Sequence, residues 1–83
     1  PSSQIVITGS GSRGARPLEE EVAARYLPFA VHIPVNAGTA APVARLLPFV
    51  AGMPPEKPAV YVCRDFTCQR PVTNVEALRE VLP

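Results

Sequence analysis

The sequence predicts a small three-layer α/β/α module: a mainly parallel sheet of three strands in the order 2-1-3, with a short antiparallel fourth strand at its edge. Three observations predict it. The runs Ile5-Val6-Ile7 and Ala59-Val60-Tyr61-Val62-Cys63 are continuously apolar, as strands covered on both faces are. Between and after them, apolar residues recur at helical spacing, so the elements alternate as β-α-β-α-β, then a short returning strand and a last helix. The two cysteines, Cys63 and Cys68, have four residues between them at the end of the third strand, a separation that suits a hairpin.

Composition bounds the possibilities. A chain of 83 residues makes one domain at most, close to the size at which a single core is only just sufficient. Hydrophobic residues at 47% and charged residues at 18% fit a packed globule and exclude disorder throughout. Eight basic residues against seven acidic ones, dispersed along the chain, make no electrostatic footprint for nucleic acid or anionic lipid. No apolar run approaches the ~20 residues that span a bilayer, and no basic segment precedes an apolar one at the start. A soluble, cytoplasmic protein is expected, with neither nucleic acid nor membrane as a partner and no cofactor. The chain begins at Pro1 without methionine, and its expected origin is the C-terminal part of a longer polypeptide.

Taken in order, residues 1–4 read as a linker and Ile5-Val6-Ile7-Thr8 as the first strand. Gly9-Ser10-Gly11-Ser12-Arg13-Gly14 matches G-x-G-x-x-G literally, between a strand and a helix. Two features argue against a dinucleotide site. The helix is predicted to start near Arg16 or Pro17, with Glu19-Glu20-Glu21 in its first turns, where carboxylates would repel phosphates. No Asp or Glu lies between Glu21 and Glu56 to accept a ribose hydroxyl. The loop therefore reads as a flexible βα connection. Anion binding by its amides, at Gly9, Gly11, Arg13 and Gly14 with Arg16 assisting, is the other reading.

Leu18, Val22 and Tyr26, with Ala23 and Leu27 beside them, give the first helix an apolar face, and Pro28 limits its extent. The Glu run reads as a solvated helix start. Phe29 to Val35 is the second strand, where Val31, Ile33 and Val35 alternate with His32 and Pro34. Proline cannot donate to a ladder, so this strand belongs at an edge. His32, the only histidine, reads as a surface residue rather than a ligand or base. After Asn36-Ala37-Gly38, Thr39 is the expected cap of a second helix with a core-facing stripe of Val43, Leu46, Leu47 and Val50, which Pro48 ends or kinks. Pro54-Pro55-Glu56-Lys57-Pro58 is a stiff connection to the third strand.

The loop Arg64-Asp65-Phe66-Thr67 then turns the chain, and Gln69 to Val72 can run back along strand three. Directly opposed residues of an antiparallel pair have Cα atoms about 4.5–5.5 Å apart, close to what a disulfide requires. Three readings of the pair stay open: two buried thiols acting as small hydrophobes, a structural or redox-active disulfide, or zinc ligation. Zinc would need four ligands, and two cysteines with a solitary histidine do not supply them. Thr73-Asn74-Val75-Glu76 fits a capping box with Thr73 as cap, opening a closing helix with Val75, Leu78 and Leu82 on its apolar face.

Tyr61-Val62-Cys63, Phe66-Thr67-Cys68, Pro71-Val72-Thr73 and the Glu76-Ala77-Leu78 helix resemble the C-terminal segment of the thioredoxin-domain-containing proteins, a family that includes the spermatogenesis-associated thioredoxin-like proteins and bacterial relatives. Leu47-Pro48 and Lys57-Pro58 extend the likeness over most of the chain. It implies a thioredoxin-like domain first, then a helical toroid resembling N-acylglucosamine 2-epimerases, then this module, with the reacting groups of both outside it. No role for Cys63 and Cys68 comes with the likeness, and the Gly9 to Gly14 loop is not part of it. Two functions are expected to compete. One is a non-catalytic accessory domain packing on the remainder of its own polypeptide through the apolar surface around Phe49, Met53 and Phe66. The other is a thiol-disulfide module using Cys63 and Cys68.

Overall fold

The computed structural model describes residues 3–25, 27 and 30–82. Over these the chain runs β1 (Ser3–Thr8), α1 (Arg16–Ala24), β2 (Ala30–Val35), α2 (Ala40–Leu46), a 3-10 turn (Pro48–Val50), β3 (Ala59–Arg64), β4 (Thr67–Cys68) and α3 (Val75–Val81). The strands form one sheet in the order β2-β1-β3-β4. The α/β class, the strand order and the proline-bearing edge strand agree with the sequence reading. Tyr26, Pro28 and Phe29, expected to close α1 and open β2, lie outside the described residues, as do Pro1, Ser2 and Pro83.

Helices cover both faces of the sheet. Alternation along β1 sends Ile5 and Ile7 to one side, where they pack with Val60 and Val62 of β3, Leu18 and Val22 of α1, and Leu78 and Leu82 at the end of the chain. Val6 points the other way, into a cluster with Ile33, Val35, Val50 and Cys63, against which Val43, Leu47, Phe49, Met53 and Tyr61 pack. The full burial of Ile5, Val6 and Val60 explains the continuous apolar runs: a central strand roofed on both sides has no wet face to mark with polar residues. β1 begins two residues earlier than the linker reading placed it, because Ser3 and Gln4 pair with Arg64 and Cys63.

The sheet is not mainly parallel. β1 and β2 run parallel, from Ser3 opposite Ala30 to Thr8 opposite Val35, but β3 runs antiparallel to β1, with Ser3 opposite Arg64 and Thr8 opposite Ala59. The reason lies in the connection. A parallel β3 would require the chain to recross the length of a six-residue strand, about 20 Å. α2 has seven residues, about 10 Å of helix, Pro48 stops it, and residues 47–58 are used in the return instead of completing the crossing. The chain then folds back to the end from which it left. There the Gly9 amide donates to the Pro55 carbonyl at 2.8 Å, and the buried Thr8 hydroxyl donates to the Lys57 carbonyl at 2.6 Å.

Helix starts also differ in detail. Thr39 occupies the cap position of α2 without a side-chain cap bond. Its hydroxyl accepts from the Asn36 amide, while Asn36 Oδ1 takes the amides of Gly38 and Thr39. The cap of α3 is Asn74, not Thr73: its Oδ1 accepts from the Ala77 amide at 2.8 Å. Asn caps at least as well as Thr, and the extended backbone at Asn74 lets its short side chain reach that amide. Glu19 and Glu21 are not merely solvated. Glu21 pairs with Arg25 one turn on and with Arg79 of α3, while Glu19 turns back to the glycine loop. Among the described residues no helix is long and apolar enough to cross a membrane.

Candidate functional site

Of the sequence features that carry chemistry, the cysteine pair lies in the β3–β4 hairpin, while His32 is on the far edge strand and the glycine loop is at the other end of β3. Asp65 and Phe66 form a two-residue turn with φ of 52° and 65°, so the connection is tighter than the four-residue loop expected. Both dihedrals lie in the left-handed region, and two in succession are the mark of a type I′ turn, whose twist matches the flanking strands. Asparagine and glycine usually fill these positions; Asp tolerates one, and Phe is an uncommon occupant of the other. Arg64 pairs with Thr67 and Cys63 with Cys68. The returning strand is only two residues long; beyond it the Gln69 amide donates to the Val62 carbonyl, and Val72 bridges to Val60.

Cys63 and Cys68 are joined by a disulfide, with Cα atoms 3.9 Å apart, and neither thiol is free. The backbone bonds of the hairpin place this pair at a non-hydrogen-bonded position, where side chains approach most closely. The two sulfur-bearing residues differ in exposure. Cys63 is buried in the cluster around Val6 and Val50, whereas Cys68, on the edge strand, is half-buried against it. The two-thiol reading is thus replaced by a bond. The zinc reading finds no support in the topology: β2 is at the opposite edge of the sheet from β4, and exposed His32 stands opposite Ile5 in register, on the other face from Cys63. Among the described residues no three His, Cys, Asp or Glu side chains gather where a metal could sit.

Gln4 is the residue that sequence reading missed. It lies opposite Cys63 in register, is almost wholly buried, and its Oε1 accepts the Phe66 amide at 2.9 Å. The tip of the hairpin is therefore tied to the central strand on one side and closed by the disulfide on the other. The available signal was a polar residue immediately before a run buried on both faces.

The hairpin presents Phe66 to an apolar surface. Phe66 is 59% exposed, and Leu46, at the end of α2, is 82% exposed. The Phe66 ring stacks at a tilt against Phe49, with centroids 5.3 Å apart, and the two rings with Leu46, Leu47 and Pro48 line a hollow of about 250 Å³. Leu46 was expected to face the core. Because α2 ends there and the chain turns at Leu47, it is Val50 in the 3-10 turn that reaches the core, and Leu46 is left on the outside. A second apolar hollow of about 530 Å³, between α2 and the Ala51–Pro55 segment, includes Met53.

No family model, curated protein or solved structure matches the chain.

The glycine loop is arranged differently from a phosphate cradle. Gly9 and Gly11 take positive φ, and a Cβ on Gly9 would stand 2.9 Å from the Pro58 nitrogen, so packing against the 57–58 segment accounts for that glycine. Gly11, Arg13 and Gly14 are exposed. The carboxylate of Glu19 accepts from the Ser10 hydroxyl at 2.9 Å and from the Gly11 amide at 3.3 Å. An anion binding at this loop would meet a carboxylate already seated there.

Proposed function

We propose that the chain is a non-catalytic accessory domain that docks, through the surface formed by Leu46, Phe49 and Phe66, onto a larger neighbour in its own polypeptide. The observation that carries this reading is the joint exposure of Leu46 and Phe66 beside Phe49. Large apolar groups gathered into one exposed surface mark interaction sites, whereas scattered single ones need no explanation. The resemblance to thioredoxin-domain-containing proteins supplies the kind of neighbour: the helical toroid, with the thioredoxin-like domain beyond it. Hydroxyl-radical footprinting of the natural polypeptide and of the isolated chain tests the reading. Leu46, Phe49 and Phe66 are expected to be oxidised in the isolated chain and protected in the longer one. Equal oxidation in both would remove it.

A second reading is favoured by the disulfide itself. As a thiol-disulfide module, the chain would accept electrons at the Cys63–Cys68 bond, and a cytoplasmic location, expected from the sequence, would put that bond in contact with reducing thiols. The spacing is not the Cys-x-x-Cys that activates a thiol at a helix start. Turnover of a disulfide substrate by the isolated chain with a dithiol as reductant would favour this reading over the first. Its absence, with protection of the apolar surface in the longer polypeptide, would leave the accessory domain.

A further inference from the structure

We propose that the Cys63–Cys68 disulfide gates the docking surface, so that oxidation assembles the Phe49–Phe66 pair and reduction takes it apart. This rests on the docking reading above and adds its regulation. The disulfide closes the ring whose outermost residue is Phe66, and it lies on the same face of the sheet as Phe49: Cys63 belongs to the cluster against which Phe49 and Cys68 both pack. Little else holds the tip. β4 has two residues and is an edge strand paired with β3 alone. The turn places two non-glycine residues at positive φ, a conformation that each would leave if released. At the tip itself the Phe66 amide is bonded to Gln4, and the returning segment is paired again only beyond the ring, at Gln69–Val62 and Val72–Val60. The rest of the sheet does not depend on the bond, because β1 pairs with β2 and β3 over six residues each.

The chemistry is ordinary thiol-disulfide exchange. One thiolate of a dithiol reductant attacks the Cys68 sulfur, on the half-buried edge strand, and the Cys63 sulfur leaves with the bonding pair and takes up a proton. The second thiol of the reductant then attacks the mixed disulfide, releasing Cys68 as a thiol and the reductant as a cyclic disulfide. Two electrons and two protons enter the protein, and the reductant is oxidised by the same amount. Docking and oxidation are then linked reciprocally: the factor by which oxidation strengthens docking is the factor by which docking makes the bond harder to reduce.

The test compares the oxidised chain, the chain held reduced by dithiothreitol, and the double variant Cys63→Ala/Cys68→Ala, which needs no reductant. In the oxidised chain, nuclear Overhauser contacts between the Phe49 and Phe66 rings are expected. In the reduced chain they are expected to vanish, with exchange of the Phe66 and Gln69 amides rising on the order of tenfold or more while the amides shared by β1, β2 and β3 keep their protection. Persistence of the ring contacts after reduction would overturn the gate, and if the double variant does not fold, the reduced wild-type chain decides. Footprinting the longer polypeptide, oxidised and reduced, with Phe66→Ala as reference, separates the two ideas. If Phe66→Ala removes protection of Leu46 and reduction does not, the gate is wrong and docking stands. If neither removes it, docking through this surface is wrong. Loss of protection in both supports the gate.

Discussion

At the scale of single residues, the hairpin turns on Gln4 and Phe66. Gln4 is a buried amide opposite a half-cystine, and its bond to the Phe66 amide satisfies a donor that the type I′ turn cannot pair internally. Gln4→Leu keeps the volume and removes the acceptor. It is expected to lower stability by about 1 kcal/mol, the usual net worth of such a bond, and to speed exchange of the Phe66 amide selectively. Both are readable by denaturant unfolding and hydrogen exchange on the same variant. A global loss without the local change would mean that Gln4 acts through core packing alone. Neither Gln4 nor Glu19 could be read correctly from the sequence, because a polar side chain's partner is set by which strand or loop folds over it. The glycines of the 9–14 loop show the same limit: the pattern was visible, but that Pro58 and Glu19 would fill the space around it was not.

At the scale of elements, periodicity located the strands and most helices, and local chemistry fixed their ends less well. The capping box over Thr73 and Glu76 is a register of one too early, since Asn74 makes the bond. Asn74→Ala is expected to cost about 1 kcal/mol, whereas Thr73→Ala, at an exposed residue outside the helix, should change stability by less than about 0.5 kcal/mol. Thermal unfolding of the two variants checks this, and a reversed order would restore Thr73 as the cap. The hairpin can be treated likewise. Cross-linking a ring as short as Cys63 to Cys68 removes on the order of 2 kcal/mol of chain entropy from the unfolded state in the loop-closure picture. For a domain of this size that is roughly 8–16 °C in Tm between the oxidised and reduced chains. The direction of β3 was not legible for a related reason. The sequence shows a helix between β2 and β3, and helical crossovers usually make parallel pairs. Only the length of α2, its stop at Pro48 and the return through residues 51–58 make this connection reverse.

At the scale of the whole molecule, the two sides of the sheet are finished differently. The side under α1 and α3 closes over its core and is clasped by Glu21, which reaches both Arg25 and Arg79. The side under α2 and the 3-10 turn leaves Leu46 and Phe66 in the open, with Val31 exposed on the edge strand β2. A module of 83 residues has little apolar surface to spare, so an exposed Leu46 and Phe66 gathered beside Phe49 are informative about how it is used. Leu46→Lys separates an idle exposed leucine from a docking one. In the isolated chain, where Leu46 is 82% exposed, the substitution removes almost no burial, and stability should stay within about 0.5 kcal/mol of wild type. If the proposed docking within a longer polypeptide holds, a docked Leu46 would contribute up to about 1.5–3 kcal/mol of burial there, and a lysine would also strand a charge against an apolar partner. The lysine variant is therefore expected to unfold or undock this module at lower denaturant in the longer chain only. Loss in both contexts would assign Leu46 to the fold of the module itself. No loss in either would remove Leu46 from the proposed docking surface.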